Sequence, residues 1–409
     1  MAATSTSGPL ARARARAAER PALWAFLRLF ALSAFVFLAI GAVLPALPPY
    51  VKEELGAGDV AVGIVIGAFA VSGVVTRPLA GRLADARGRR LVATGGALAA
   101  AAAGAMYFIP AGVPGLVLAR LVLGIADGAV FVAGITWVVD LAPVARRGQW
   151  IGWFGLSIWA SFSLGPLIGE GLLRIGGYGW VWAFAAVSPL VSAAISRTLG
   201  PGLPSSAPAR GSALLPREAM RPGAALGLAQ LGFVAMAGFS VLLLRHQGVD
   251  GGAAIFTAFA AAVVGARLVF GRLPDRLGPQ RTAIAAGAGE AAGLALIGFA
   301  HGLPAAIAGA LVMGTGFSIL YPSLALMVVD RVPEDRHGAA LGTFTAFVDV
   351  GVGIGGPLIG AAAALGGYPW AFWAAAAGSA LAALVVLPGA HRASVRRAAR
   401  VDAGLPPPG

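Results

Sequence analysis

Apolar residues along this chain fall into long runs that are separated by short polar or charged breaks. A membrane-spanning helix needs about 20 mainly apolar residues. Twelve runs of this kind lie near 24–48, 60–81, 90–111, 113–141, 148–173, 178–199, 223–247, 251–273, 281–301, 303–329, 338–365 and 368–389. The pattern predicts an all-α membrane protein in which twelve transmembrane helices lie in the lipid bilayer.

The longest polar break separates two sets of six predicted helices. We place an N-terminal half at residues 22–199, a cytoplasmic linker rich in Pro, Ser and Arg at 200–222, and a C-terminal half at 223–390. The basic segments 1–21 and 391–409 are expected to be disordered cytoplasmic tails. The apolar run that follows the first tail is too long for a signal peptide and shows no clear cleavage site, so we interpret it as the first membrane helix.

Composition agrees with this class, because hydrophobic residues make up 58% of the 409 positions and charged residues only 11%. Soluble domains carry roughly 25% charged residues. The absence of cysteine excludes disulfides and thiolate metal sites, and none of the four histidines is spaced as a metal-binding pair. We therefore predict no metal and no cofactor.

The basic residues are distributed very unevenly over the predicted loops. With the N-terminus inside, 24 of the 30 Lys and Arg residues lie on the cytoplasmic side, and only Lys52, Arg174 and Arg245 lie opposite. Because Lys and Arg accumulate in cytoplasmic loops, we predict a multi-pass protein of the cell (inner) membrane with both termini in the cytoplasm. This asymmetry also explains the net charge of +13 without nucleic acid as a partner.

The two halves contain an internal repeat. A charged, glycine-containing island at Gly81–Arg90 recurs 190 positions later at Gly271–Arg281, and Gly165–Gly169 recurs unchanged as Gly356–Gly360. Arg77 and Arg267 precede the two islands at the same offset. Parallel repeats of six helices are typical of secondary transporters built from two halves.

Several motifs resemble those of the major facilitator superfamily. The first island resembles the loop 2–3 signature of that family, and further likenesses lie in helix 1 (Gly41, Pro45, Pro48), helix 4 (Leu116, Arg120, Gly124) and helix 5 (Gly155, Gly165–Gly169). Leu123 and Glu170 depart from the helix 4 and helix 5 patterns. The C-terminal half, around Tyr321–Ser323 and 343–360, resembles bacterial drug and arabinose efflux permeases. The resemblance implies two pseudo-symmetric six-helix bundles that work by alternating access.

The repeated elements are expected to serve the scaffold. We expect the islands to act as a conformational switch through Gly81, Asp85, Gly88, Arg89, Arg90 and Asp275. A solvated basic loop is the alternative. The two Gly-Pro elements (Gly165, Pro166, Gly356 and Pro357) are expected to bend or seal helices as hinges.

Charged residues that break the repeat are the candidates for chemistry, because a charge at the bilayer centre costs about 2.5–3.5 kcal/mol. Asp127 and Arg120 lie on one face of helix 4, and Asp349 lies in helix 11. We expect Asp127 and Arg120 to pair in a proton- and substrate-linked cavity, with Asp349 in a similar role and Gln230 as a hydrogen-bonding group for the substrate. A static buried ion pair is the alternative, and the role of Glu290 in helix 9 is left open.

These patterns predict a secondary active transporter that exports a small organic substrate, drug-like or sugar, in exchange for protons. Uptake or facilitated transport of a metabolite, or a non-transporting membrane sensor, is the alternative. Aromatic residues that include Trp159, Phe317 and Tyr321 would form a wall for a lipophilic substrate or would simply pack. No phosphate-binding loop and no nucleophile–base constellation is apparent, so we expect no enzyme. We expect a monomer.

Overall fold

The computed structural model describes residues 9–143, 146–200, 216–333 and 337–387, and all regular structure in these ranges is helical. The N-terminal half contains α1 (Pro9–Val43), α2 (Asp59–Arg87), α3 (Arg89–Met106), α4 (Gly112–Leu141) and a long helix, Arg147–Arg197, that comprises α5 and α6. The C-terminal half contains α7 (Arg217–His246), α8 (Ala253–Phe270), α9 (Pro279–Gly298), α10 (Leu303–Val329), α11 (His337–Gly366) and α12 (Tyr368–Val386). Short helical turns lie at Leu47–Pro49, Tyr50–Glu54 and Leu273–Leu277.

The long helix is interrupted at a pair of glycines. Gly176 leaves the helical region and Gly177 has φ +68°, which divides the helix into α5 (147–175) and α6 (178–197). Gly367 makes the equivalent turn between α11 and α12 with φ +83°. Glycine adopts positive φ without the steric cost of a Cβ atom, so the repeated Gly-Gly-Tyr sequence makes the same turn in both halves.

The membrane character of these helices agrees with the sequence pattern. Within the described ranges, nine helices are long and apolar enough to cross a membrane, and Arg147–Arg197 counts as one of them. The two remaining long helices, α3 and α9, occupy equivalent places in the two halves. The predicted fold class, an all-α bundle of twelve helices in two repeated halves, is confirmed.

Small residues set the helix spacing within each half. A Cβ atom on Gly165 of α5 would lie 2.8 Å from the Cα of Gly41 on α1. A Cβ on Gly124 of α4 would overlap the carbonyl oxygen of Phe69 on α2. Without a hydrophobic driving force between helices in lipid, such close backbone approach is a main source of association.

The halves contact each other through α2 with α11 and through α5 with α8. A Cβ on Gly63 of α2 would overlap the carbonyl oxygen of Gly356 on α11, and one on Gly67 would lie 2.9 Å from the carbonyl oxygen of Val352. We call the end of the bundle that carries residues 82–90 and 271–281 the basic end. The Gly63–Gly356 contact lies toward the opposite end.

Ion pairs also join segments at that opposite end. Arg245 Nη1 of α7 lies 2.8 Å from Glu53 Oε1, which belongs to the other half. Lys52 Nζ lies 2.9 Å from Asp59 Oδ1 at the start of α2. The halves are therefore closed against each other at the end opposite the basic end.

Two boundary predictions are wrong. The tail predicted as disordered at 1–21 is helical from Pro9 onward, because its Ala- and Arg-rich sequence consists of strong helix formers. Helix α7 begins at Arg217 instead of 223, and Pro222 lies inside it in the first turns. Residues 1–8, the linker residues 201–215 and the tail from 388 lie outside the described residues.

Candidate functional site

An arginine on α2 joins two carboxylates from different helices inside the bundle. Arg77 Nη2 donates to Asp127 Oδ2 of α4 at 2.9 Å, and Arg77 Nε donates to Asp349 Oδ2 of α11 at 2.7 Å. A further bond links Arg77 Nη2 to Asp349 Oδ1 at 3.2 Å. We call Arg77, Asp127 and Asp349 the Arg77 cluster. Because α11 belongs to the C-terminal half, this cluster spans the interface between the halves.

Glycines on the neighbouring turns allow these helices to approach. A Cβ on Gly73, one turn before Arg77, would lie 3.3 Å from Asp349 Oδ1. A Cβ on Gly128, next to Asp127, would lie 3.2 Å from Thr76 Cβ. The guanidinium carbon also lies 5.1 Å from the centre of the Phe131 ring, which adds a cation–π contact.

The charges in the cluster do not balance. It contains one guanidinium and two carboxylates, whose side chains are 25%, 10% and 3% exposed for Arg77, Asp127 and Asp349. Buried ions are tolerated when they are paired and hydrogen-bonded. One cation compensates one carboxylate, so the binding of a single proton to either aspartate would make the cluster neutral.

Arg120 is not the partner of Asp127, and the predicted pairing of these two side chains is wrong. Arg120 Nε and Nη2 donate to the carbonyl oxygens of Val65 and Ile66 on α2, each at 3.1 Å. Its guanidinium carbon lies 4.9 Å from the centre of the Phe69 ring. Seven residues along a helix place two side chains on one face but two turns apart, and the backbone of α2 lies closer. Arg120 therefore ties α4 to α2.

Gln230 and Glu290 lie elsewhere in the C-terminal half. Gln230 is buried on α7, and its side chain makes no hydrogen bond to the part of the protein that the structure describes. Glu290 on α9 is fully buried and accepts a hydrogen bond from Ser379 Oγ of α12 at 3.1 Å. Neither residue is hydrogen-bonded to the Arg77 cluster in the described structure.

The first island is built around Arg89, at the basic end of the bundle. Gly88 has φ +91°, which turns the chain between α2 and α3. Arg89 is buried, and its Nε lies 2.6 Å from Asp140 Oδ2 at the end of α4. Asp85 is half exposed and lies 3.9 Å from Arg89 Nη2.

The other residues predicted for the conformational switch make weaker contacts than Arg89 does. Gly81 lies in α2 near Val132, and Arg90 donates to the carbonyl oxygen of Leu199 at 3.5 Å. Asp275 is exposed in the second island, where Gly278 has φ +87°. The structure joins Arg89 to Asp140, a pairing that sequence reasoning missed, although Asp140 stands in a repeated Val-Val-Asp element.

The two Gly-Pro elements make different contacts. Gly165 faces α1 of its own half, whereas Gly356 faces α2 of the other half. Pro166 and Pro357 both lie inside continuous helices. The predicted hinge role remains a prediction, but the Gly356 contact joins the two halves, whereas the Gly165 contact lies within the N-terminal half.

Arg77 is the residue of the site that sequence reasoning missed. The sequence pattern shows only that Arg77 and Arg267 precede the two islands at the same offset, and it gives Arg77 no role of its own. The position of Arg77 inside an apolar helix could have identified it. A charged side chain in a membrane span costs free energy and is usually paired with an opposite charge.

An all-helical bundle of two repeated halves, with a charged cluster between them, defines a two-halved membrane transporter, and comparison with known proteins agrees. The family model of the Major Facilitator Superfamily matches residues 29–252 and 224–407. An uncharacterized MFS-type transporter of Salmonella typhimurium is 31% identical over 369 residues, which cover 88% of this chain and 95% of the relative. The MFS-type transporter YhhS of Escherichia coli is 32% identical over 361 residues, covering 85% and 88%.

Solved structures share the fold at low identity. A POT family transporter aligns with TM-score 0.75 at 12% identity, covering 88% of this chain and 95% of that chain. The nucleoside transporter NupG aligns with TM-score 0.72 at 16% identity, covering 88% and 98%. The chain belongs to the Major Facilitator Superfamily: it is a multi-pass membrane transporter of a small molecule, and not an enzyme.

Proposed function

We propose that this transporter is a secondary active exporter that moves a small organic substrate by alternating access in exchange for protons. The observation that carries the proposal is the Arg77 cluster, in which one cation holds two carboxylates from the two halves. A proton-coupled carrier needs a group that binds a proton inside the membrane and a contact that changes when the proton binds. The cluster offers both at one place.

The cluster would work as a lock on the unloaded carrier. With Asp127 and Asp349 ionised, Arg77 links α2 to α11 and stabilises the arrangement that is closed opposite the basic end. A proton on Asp349 would weaken this link by removing the charge that Arg77 attracts. The carrier would then change state when it carries a proton or a substrate, and not when it is empty, as exchange requires.

The proposal also specifies the membrane topology and the direction of transport. The excess of Arg and Lys at the basic end supports a cytoplasmic location for that end and for both termini, in the cell membrane. The state closed at the opposite end would then face the cytoplasm. The Gly165–Gly169 element resembles a helix 5 motif that antiporters of the major facilitator superfamily carry. This resemblance supports export of a drug-like compound or sugar, and uptake or facilitated transport is the alternative outcome.

The first island would switch the two states. Asp85 is half exposed here, and we propose that it contacts the basic end of the other half when that end closes. An Asp85→Asn variant would lack this contact. Spectroscopic distances across the basic end should then shift toward the separated arrangement.

The test is transport in proteoliposomes with an imposed pH gradient across a panel of compounds. Wild type should move at least one compound against its gradient, with protons moving in the opposite direction. The Asp127→Asn/Asp349→Asn double variant should lose the gradient dependence. If the double variant follows the gradient like wild type, or if protons travel with the compound, the exchange mechanism is wrong. A protein that moves no compound at all would fit the sensor alternative.

A further inference from the structure

The two halves place the same arginine in different surroundings. Arg267 of α8 occupies the repeat position of Arg77, 190 residues later. At the same offset, the residues in the positions of the two Arg77-bound carboxylates are Phe317 and Trp159. The repeat therefore retains the cation and replaces both of its anionic partners by aromatic rings.

Within the described residues, the side chain of Arg267 makes one hydrogen bond. Its Nη2 donates to the carbonyl oxygen of Ser318 on α10 at 3.2 Å. A Cβ on Gly155 of α5 would lie 3.9 Å from Nη1, and no other described side chain or neighbouring helix would come within 4 Å of it, so the guanidinium faces an open side of that helix. No carboxylate forms an ion pair with Arg267 in the ranges that the structure describes. A guanidinium has five N–H donors, and a cation in a membrane span ordinarily has an anionic partner or faces water.

Aromatic residues of both halves lie next to the helix positions that Arg267 contacts, because Phe317 precedes Ser318 on α10 and Trp159 follows Gly155 by one turn on α5. The ring centres of Trp159 on α5 and Phe317 on α10 are 5.5 Å apart, in an edge-to-face arrangement. Phe259 of α8 contacts both rings, with centre distances of 5.9 Å and 5.4 Å. These rings form an apolar wall that crosses the interface between the halves.

Tyr321 lies one turn after Phe317 on α10, and it is 37% exposed. The two symmetry-related arginines differ in their partners. Two carboxylates hold Arg77, whereas no carboxylate pairs with Arg267 among the residues that the structure describes.

We propose that Arg267 binds an anionic group of the transported substrate and that Trp159 and Phe317 contact the apolar part of the same molecule. The substrate class would be an organic anion, with a sulfonate, carboxylate or phosphate group on an apolar body. A planar guanidinium matches the two oxygens of such a group, and aromatic faces match the body. This inference rests on the transport function proposed above and names its substrate class.

Three probes of one shape and different charge test the inference by binding alone. Naphthalene-2-sulfonate, the neutral naphthalene-2-sulfonamide and the cationic 2-naphthyltrimethylammonium would be titrated into the full-length protein in lipid nanodiscs, with calorimetry as the readout. Wild type should bind the sulfonate at least tenfold more tightly than the amide or the cation. Arg267→Gln should remove this preference, whereas Arg267→Lys should retain part of it.

Arg174→Gln serves as the matched control, because Arg174 is an exposed arginine of α5 that pairs with Glu170 away from this region. It should bind the sulfonate like wild type. Thermal unfolding of each variant separates lost binding from lost folding, and Arg267→Lys keeps the test valid if Arg267→Gln does not fold.

The inference is overturned if the sulfonate shows no saturable binding, if the three probes bind alike, or if Arg267→Gln keeps the preference. In those cases Arg267 only ties α8 to α10 through Ser318. The binding measurement uses no pH gradient. A failed anion site is therefore distinguishable from failed proton exchange, which only the proteoliposome assay reads.

Discussion

Arg77 and Arg267 show how one repeated residue takes on two functions. On the N-terminal side the arginine is held by Asp127 and Asp349 and links the halves. On the C-terminal side its counterpart donates to the backbone carbonyl of Ser318, the residue that follows Phe317 on α10. The repeat supplies the cation in both places, and the partners on the neighbouring helices decide whether it serves as a lock or as a binding site.

The largest expected effect is a difference in stability between variants of the two arginines. Arg77→Gln leaves two buried carboxylates without a cation, and breaking a buried pair in this way costs about 3–5 kcal/mol. Arg267→Gln removes an arginine that has no carboxylate partner in the described structure, and should lower stability much less. Thermal unfolding of both variants in one detergent measures the difference. Equal losses would contradict the contrast.

A second prediction concerns a variant in which Arg267 gains the kind of partner that Arg77 has. Phe317→Asp gives Arg267 the carboxylate that Asp127 supplies to Arg77. We expect binding of naphthalene-2-sulfonate to weaken roughly tenfold or more, equivalent to at least ~1.4 kcal/mol, because the new carboxylate occupies the guanidinium and repels the anion. Phe317→Asn is the matched control of the same size, and it should bind more tightly than Phe317→Asp. Equal binding by the two variants would show that Arg267 does not meet the anion.

The two Gly-Pro elements provide a third contrast. Gly356→Ala places a methyl group against the carbonyl of Gly63 across the interface, whereas Gly165→Ala places one against Gly41 within the N-terminal half. Both should cost about 1–3 kcal/mol by overpacking, but only Gly356→Ala should move the halves apart.

Distances between spin labels check this contrast. The protein has no cysteine, so labels can be attached at Glu54→Cys and Asp250→Cys, two exposed positions on different halves. The distance between them should lengthen in Gly356→Ala and stay as in wild type in Gly165→Ala. Lengthening in both variants would mean that the Gly-Pro elements act alike.

The smallest expected effect lies in the islands. Arg89 pairs with Asp140, but Pro279 stands at the repeat position of Arg89, so Asp330 has no equivalent arginine. Asp140→Asn should cost up to about 1 kcal/mol, because the pair is partly exposed. Asp330→Asn should have almost no effect on thermal unfolding. A larger loss for Asp330→Asn would reverse this comparison.

The fold was largely predictable because the length of an apolar run and the distribution of Arg report directly on membrane crossing. The candidate site was predictable only in part. Asp127 and Asp349 are identifiable as charges that break the repeat, but their common partner Arg77 is not, because the repeat retains it as Arg267. Which face of α2 meets α11 depends on backbone contacts such as Gly63 with Gly356, nearly 300 residues apart in sequence. No local pattern encodes such a contact.

The distance between labels at Glu54→Cys and Asp250→Cys, recorded by electron spin resonance at neutral and acidic pH, tests the central claim most directly. If protonation of the Arg77 cluster releases the halves, acidification should lengthen this distance in otherwise wild-type protein. The Asp127→Asn/Asp349→Asn variant should show the acidic distribution at both pH values. Two results would contradict the role of the Arg77 cluster as the proton-sensitive lock. One is a distance that does not change with pH in wild type, and the other is a distance that still changes with pH in the double variant.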